Sequence, residues 1–388
     1  MLIKRLTLKK ILSFKETTVD LQQLNVLIGP NAVGKSNLIE AISLLQAAPN
    51  ALDVQILRGG GIRQWLWLGD REPAQVAEIE CELILRRGRQ FGPLVYRLEF
   101  SDSGGFSILN ERLAQASPVP DAEIYFYRSA NRVNFAPQSP MPLNRAMAAE
   151  VPSNKSILAQ FKSPMDTTPV TEAGNHFEEI RIFREFRTGF TSPARHGISA
   201  AAPKDYLSEG ADNLALVLHQ LDFLGAHDRI KEYLNRFCDR FEDVKVDVGE
   251  GLARPFLREA GLSDMLSGIR MSDGTLKFLC LLAVLFHPKP APLVCIEEPE
   301  LGLHPDALRL VAEVLVEASE RTQLIITTHS EALVDALTDR PESVLVCERD
   351  FDNGTQFKRL AQDELDEWLQ HYTLGELWRK GEIGGGRW

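Results

Sequence analysis

The sequence is short of the residues that several protein classes require. It has five cysteines, Cys81, Cys238, Cys280, Cys295 and Cys347, with no CxxC pair among them, and three lie in apolar runs. That pattern speaks against a disulfide framework or a cysteine-held zinc, and for small buried thiols in a reducing compartment. No run approaches the roughly 18 apolar residues that a membrane span needs. The opening MLIKRLTLKKILSF has no apolar stretch leading to a small-residue cleavage site. A cytoplasmic protein with no membrane partner is expected. Positive charge is also in deficit: 43 Lys and Arg stand against 54 Asp and Glu, a net charge of -11. Bulk charge therefore does not favour nucleic acid, which leaves only a local basic face as a route to it. No run sustains the three or four heptads of a long coiled-coil arm.

What is present is globular. The 388 residues exceed one small domain and fit a large α/β domain with an inserted lobe, or two domains. Residues 2–8 alternate around Leu2, Leu6 and Leu8, and LNVLI at 24–28 is a short apolar run stopped by Gly29-Pro30. A helix with Leu38, Ile42 and Leu45 on one face follows and ends at Pro49. Period-two alternation at 76–85 and 94–100, the turn SDSGG and FSILNERL predict an antiparallel meander. Residues 117–175, rich in Pro, Ser, Asn and Thr, read as long loops, and 176–187 and 211–241 have helical spacing. The last third alternates buried strands (APLVCIEE, QLIITTHS, SVLVCER) with helices, which implies a parallel sheet.

The strongest local signal is Gly29-Pro30-Asn31-Ala32-Val33-Gly34-Lys35-Ser36, which is GxxxxGK[ST] between a strand and a helix. The backbone N–H groups of Asn31, Ala32, Val33 and Gly34, with the helix N-terminus through Asn37, would present positive potential to phosphate. Lys35 would reach the outer phosphates, and Ser36 would offer an oxygen to Mg²⁺. The expected cofactors are ATP and Mg²⁺.

LVCIEEPE places Glu297 and Glu298 at the end of an apolar strand. Two carboxylates there are costly unless a cation or a proton relay uses them. Glu297 is assigned to Mg²⁺ and Glu298 as the general base for the attacking water. IITTHS brings His329 to a similar strand end, where a γ-phosphate contact is expected. Met271-Ser272-Asp273-Gly274-Thr275 opens a long apolar helix, and its Ser272 or Asp273 can cap that helix and bind an anion too.

Together these motifs resemble the SMC and RecF-type ABC ATPases, above all the stand-alone bacterial predicted ATPases of AAA type with an SDGT signature. LNVLIGPNAVGKSNLIEAI, MSDGTLKFLCLLAVL, LVCIEEPELGLHP and QLIITTHSEAL stand in that group's order, and LGELWRKGEIGGGRW is also similar to it. The resemblance covers about the first 50 residues and nearly everything after 205. It implies an α/β P-loop ATPase head with a mixed or parallel sheet core, an antiparallel meander and an inserted helical lobe. The lobes would be 1–110 with the phosphate loop, 111–260 as the insert, and 261–388 with the remaining motifs.

The resemblance further implies a head-to-tail homodimer formed on ATP, with Ser272 and Gly274 of one copy meeting the γ-phosphate held by the other. Residues Glu300 to His304 would cross the seam, His329 would be the switch histidine, and Gln160 is assigned to the loop that links the lobes. Three departures bear on turnover: Ala32-Val33 where many relatives have Gly-Ser, Glu297 where Asp is commoner, and Asp273 in the signature. DNA repair or defence against phage and foreign DNA is the implied role, with DNA as a partner. The alternative is a slow ATPase scaffold that restrains an effector protein encoded nearby. Lys4, Arg5, Lys9, Lys10 and Lys15 are the candidate DNA-facing edge. Only 59 residues follow His329, too few for the nuclease domain of some relatives, so nuclease activity is expected to come from a partner.

Overall fold

The structure is a computed structural model. It describes residues 1–69, 75–85, 92–116, 124–129, 132–135, 151–161, 168–350 and 352–385. The chain forms two compact units, one of residues 1–180, 343–360 and 383–388, the other of 181–342 and 361–382.

The first unit is built on a mixed sheet. Its strands run, in spatial order, Arg132–Phe135, Ile124–Ser129, Phe106–Gln115, Leu94–Asp102, Val76–Leu83, Ile3–Ile11, Phe14–Asp20, Gly354–Arg359, Val344–Asp350 and Leu24–Ile28. Only the last pair is parallel, with Val344 opposite Val26. The period-two expectation for the meander holds. Residues of Val76–Leu83 and Leu94–Asp102 alternate between buried and half-exposed, because one sheet face meets the core and the other meets water. Leu24–Ile28 is buried throughout, as the apolar run required.

The meander is longer than the sequence suggests. Strands Ile124–Ser129 and Arg132–Phe135 lie within 117–175, which read as loops, and the helix Pro169–Glu178 begins there. The proline count misled: Pro169 opens its helix at the first position, with Thr168 as the cap, where a missing N–H costs nothing. Of the rest of that stretch, 117–123, 130–131, 136–150 and 162–167 fall outside the described residues. Segment 151–161 is held down by a buried carboxylate. Glu111 accepts hydrogen bonds from Ser156 Oγ at 2.6 Å, the Ile157 N–H at 2.8 Å and the Tyr96 hydroxyl at 3.0 Å.

The second unit has a parallel sheet in which Leu293–Glu297 lies between Arg181–Phe183 and Gln323–Thr327. Residues 176–187 are thus not one helix. The helix stops at Glu178, and Ile182 and Phe183 are buried as strand residues. The helical reading of 211–241 also breaks. Gly225, at φ +81°, separates Leu214–Phe223 from His227–Phe237, and a strand begins at Phe241. That strand, Phe241–Gly249, pairs with Leu252–Glu259 in a small antiparallel sheet with Ile198–Ser199 and Leu266–Ser267. Helix Leu214–Phe223 packs Ala215 and Leu216 onto Ala253 of this sheet. Phe237 stacks on Phe278 with ring centroids 4.4 Å apart, which seats the helix Asp273–Leu285. Among the described residues, no helix is long and apolar enough to cross a membrane. All five cysteines are free thiols.

Candidate nucleotide site

In the first unit the phosphate loop stands between Leu24–Ile28 and the helix Lys35–Ala47. Two of its glycines are sterically required. A Cβ on Gly29 (φ +146°) would lie 2.4 Å from the Cys347 carbonyl oxygen, and one on Gly34 (φ +114°) would lie 2.3 Å from Thr355 Oγ1. Ala32 takes the left-handed conformation too, at φ +60°. The chain therefore makes this turn without the usual glycine, at a cost of roughly 1–2 kcal/mol.

Lys35 is 6% exposed, and its Nζ donates to the carbonyls of Gly29 at 2.7 Å and Pro30 at 2.8 Å. Its charge is fixed over the loop by the loop itself. Thr355 Oγ1 donates to the Val33 carbonyl at 2.6 Å and lies 2.8 Å from Ser13 Oγ, and Asn37 Nδ2 donates to the same Ser13 oxygen at 2.8 Å. Burial pushes the Cys347 thiol up to about 12, so it serves as apolar wall rather than as a nucleophile. Asn31, Ala32 and Ser36 are exposed. Beside them opens a cleft of about 470 Å³ between Pro30–Val33 and Glu348–Asp350. A cradle without room for a Cβ, with a fixed ammonium, fits a phosphate chain.

In the second unit Glu297 ends its strand and Glu298 turns away from it in the left-handed conformation, φ +46°. Such strain in a non-glycine residue is characteristic of functional turns. The Glu298 N–H donates to the Thr327 carbonyl at 2.9 Å, which joins the two strand ends. His329 Nε2 lies 3.8 Å from Glu298 Oε1. The backbone that carries the histidine is held by Glu300, whose Oε1 accepts from the His329 N–H at 2.8 Å and from Thr328 Oγ1 at 2.6 Å. Burial raises the Glu300 carboxyl above its ordinary range, and those two hydrogen bonds oppose the shift.

Arg184 follows the neighbouring strand and places Nε 3.6 Å from Glu297 Oε1 and Nη1 2.9 Å from Glu209. Sequence reading missed it, because nothing local marks an arginine that faces a strand 113 residues away (297 − 184).

Ser272 caps the helix Asp273–Leu285, its Oγ accepting from the Thr275 N–H at 3.1 Å. Gly274 lies against the seam loop: a Cβ there would be 3.1 Å from the Gly302 carbonyl oxygen. Lys277, one turn on, donates from Nζ to the Leu301 carbonyl at 2.9 Å. Leu301 and His304 are exposed, and His304 caps the short turn Pro305–Ala307. The acidic pair and the signature helix thus share one surface, a cleft of about 230 Å³ that Arg184, Lys277, Glu297 and Glu298 help to line.

Other sequence assignments fall elsewhere. Gln160 is exposed at the end of the four-residue helix Ile157–Gln160 in the first unit and does not line the cleft beside the phosphate loop. Of the basic residues near the start, Lys4 pairs with Glu82 at 3.0 Å, Arg5 with Asp20 at 2.6 Å, and Lys9 with Glu16 at 3.3 Å and Glu78 at 3.5 Å. These partners cancel much of a basic edge. Among the described residues no three His, Cys, Asp or Glu side chains gather as a ready metal cage. Ser36 in the first unit and Glu297 in the second each carry a hard oxygen donor of the kind Mg²⁺ takes.

A phosphate loop, a capped signature helix, an acidic strand end and a histidine turn on an α/β fold define a P-loop ATPase. Known proteins agree. The family described as "AAA domain, putative AbiEii toxin, Type IV TA system" matches residues 24–79 and 205–335. An ATP/GTP phosphatase of Helicobacter pylori (strain ATCC 700392 / 26695) is 20% identical over 381 residues, 94% of this chain and 93% of that protein. Old nuclease of Escherichia phage P2 is 38% identical over 80 residues, but these span 20% of this chain and only 13% of the nuclease. Among solved structures, an SmcHead bound to the C-winged helix domain of ScpA has a TM-score of 0.59 at 16% identity, covering 94% of this chain and 99% of that one. The Smc head with an extended coiled coil from Pyrococcus furiosus, bound to the C-terminal domain of ScpA, has a TM-score of 0.56 at 16% identity, over 95% and 98%. The chain has the head fold of these proteins, and its phosphate loop together with the matched AAA-domain stretches makes it a P-loop ATPase.

Proposed function

We propose that the protein is an ATP-driven switch: two copies join head to tail on ATP, and hydrolysis separates them. Lys35 and the loop amides bind the phosphates, and Ser36 and Glu297 hold the Mg²⁺ that screens them. Glu298 takes the proton of the attacking water, and His329 donates to the γ-phosphate. Ser272 and Gly274 act on the nucleotide of the other copy. The observation that carries this reading is the turn in which Glu298, strained at φ +46°, lies 3.8 Å from His329 on a backbone clamped by Glu300. A base and a γ-phosphate sensor set side by side are what a hydrolytic switch needs. Light scattering of Glu298→Gln with and without ATP tests it; a variant that binds ATP and stays monomeric refutes the dimer.

The cycle serves DNA repair or defence against foreign DNA in one reading, and restraint of an effector protein in the other. The ion pairs of Lys4, Arg5 and Lys9 favour the second, since they leave less charge for phosphate backbones. The partial likeness to a phage nuclease fits an effector that acts on nucleic acid. A pull-down with ATP-locked protein decides: salt-dependent duplex DNA supports the clamp, and a co-purifying protein without DNA supports the scaffold.

A further inference from the structure

Asp273 places a negative charge in a signature that, in the reading above, must meet a triphosphate. Its side chain is 62% exposed. The structure supplies a counter-charge from an unexpected quarter. Arg195, on the short helix Pro193–His196, is 7% exposed, and its Nη2 makes a charged hydrogen bond with the Asp273 carboxylate. Its remaining donors are committed to backbone. Nε donates to the Thr188 carbonyl at 2.6 Å, and Nη1 reaches the carbonyls of Met271, at 2.5 Å, and Gly268, at 3.3 Å.

Those acceptors bracket the residues just ahead of Ser272. The turn Gly268–Arg270 is pressed on Arg195 so closely that a Cβ on Gly268 would lie 2.6 Å from the Arg195 carbonyl oxygen. A guanidinium offers five N–H groups in one rigid plane, so it can hold several carbonyls and a carboxylate at once, and a lysine cannot. With the Ile269 carbonyl, 3.5 Å from Nη1, four of its five partners are neutral. Asp273 is the only full charge it meets among these contacts.

We propose that Arg195 is the positioning residue of the signature. It fixes the Met271–Ser272 turn, and it cancels the Asp273 charge so that the helix start can accept the other copy's phosphate. This rests on the head-to-tail reading of the signature. It accounts for an aspartate at a position that faces an anion: the carboxylate is half of a built-in ion pair, and the pair is what the phosphate meets.

The test is ATP-dependent dimerisation of the full chain in the Glu298→Gln background, followed by light scattering, with nucleotide affinity of the monomer measured alongside. Arg195→Met should weaken the ATP-bound dimer at least tenfold and leave monomer affinity for ATP within twofold, because the phosphate loop is untouched. Adding Asp273→Asn to Arg195→Met should restore most of the dimer, since the unpaired charge is then gone. Asp273→Asn alone, which keeps Arg195 and folds without it having to be replaced, should dimerise as well as the parent or better. Three results overturn the proposal: Arg195→Met that dimerises like the parent, a double variant with no recovery, or Asp273→Asn that weakens the dimer. If the parent itself forms no dimer with ATP, the head-to-tail reading fails first, and this proposal with it.

Discussion

Gly274 of the signature and Gly302 of the seam loop face each other so closely that a Cβ on the first would sit 3.1 Å from the carbonyl oxygen of the second. Lys277 closes the same contact from one turn away, its Nζ 2.9 Å from the Leu301 carbonyl oxygen. The two loops are therefore one surface, and neither can shift without the other. Gly302 is the less replaceable. It holds φ +79°, and a side chain on it would meet Lys277 Nζ at 3.0 Å. Gly302→Ala should cost about 1–2 kcal/mol in denaturant unfolding and lower ATPase activity. Gly274→Ala, which needs only a shift of the facing carbonyl, should cost less. The reverse order would contradict the packing described.

Lys35→Ala should lower ATP affinity by at least about tenfold, since the ammonium is the one full positive charge fixed over the loop carbonyls. Titration calorimetry or the ATP-induced rise in Tm reads this directly. Unchanged affinity would remove the phosphate loop from the nucleotide site.

Glu298→Gln keeps the size of the side chain and removes its basicity. Hydrolysis should fall by about two to four orders of magnitude, the usual contribution of a general base. ATP binding should be retained, so a long-lived ATP complex is expected. Phosphate release in a coupled assay checks the rate. A fall of less than about fivefold would assign the proton to another group.

The Glu111 network predicts a pH dependence of stability. Burial is the largest influence on this carboxyl and raises its pKa, against the hydrogen bonds from Ser156, Ile157 and Tyr96. The folded form thus keeps its proton where the unfolded form has lost it. Its contribution is full below the ordinary carboxylate range and is lost as pH climbs towards the raised folded value. Glu111→Gln has no such titration. The stability difference between wild type and Glu111→Gln should shrink as pH rises above the ordinary carboxylate range in thermal or urea unfolding. A difference that grows with pH would mean the carboxylate is stabilised in its charged form.

The parts of the site that were legible in the sequence are those written within a few residues. The phosphate loop, the acidic pair, the cap at Ser272 and the histidine turn each follow from one short string. What was hidden depends on distant partners. Thr355 and Cys347 wall the loop from more than 300 positions away, and no periodicity links them to Val33. Arg184 and Arg195 sit in a stretch of turn residues where either would pass for a solvated side chain. Strand Phe241–Gly249 was missed for another reason. Val244, Val246 and Val248 carry its period of two, but the charges between them, and a helix just before, mask the alternation. The division of 211–241 turned on Gly225, whose positive φ ends one helix and lets the next start at His227.

The bond from Thr355 to Ser13 spans 342 positions. During synthesis the phosphate loop is made more than 300 residues before the last part of its wall, the strand Gly354–Arg359. The backbone that packs on Gly29 comes with the strand Val344–Asp350, and the hydroxyl that secures the Val33 carbonyl comes only with the next one. Nascent chains that stop short of that strand would lack the finished cradle, so the phosphate loop is completed by residues made late in synthesis.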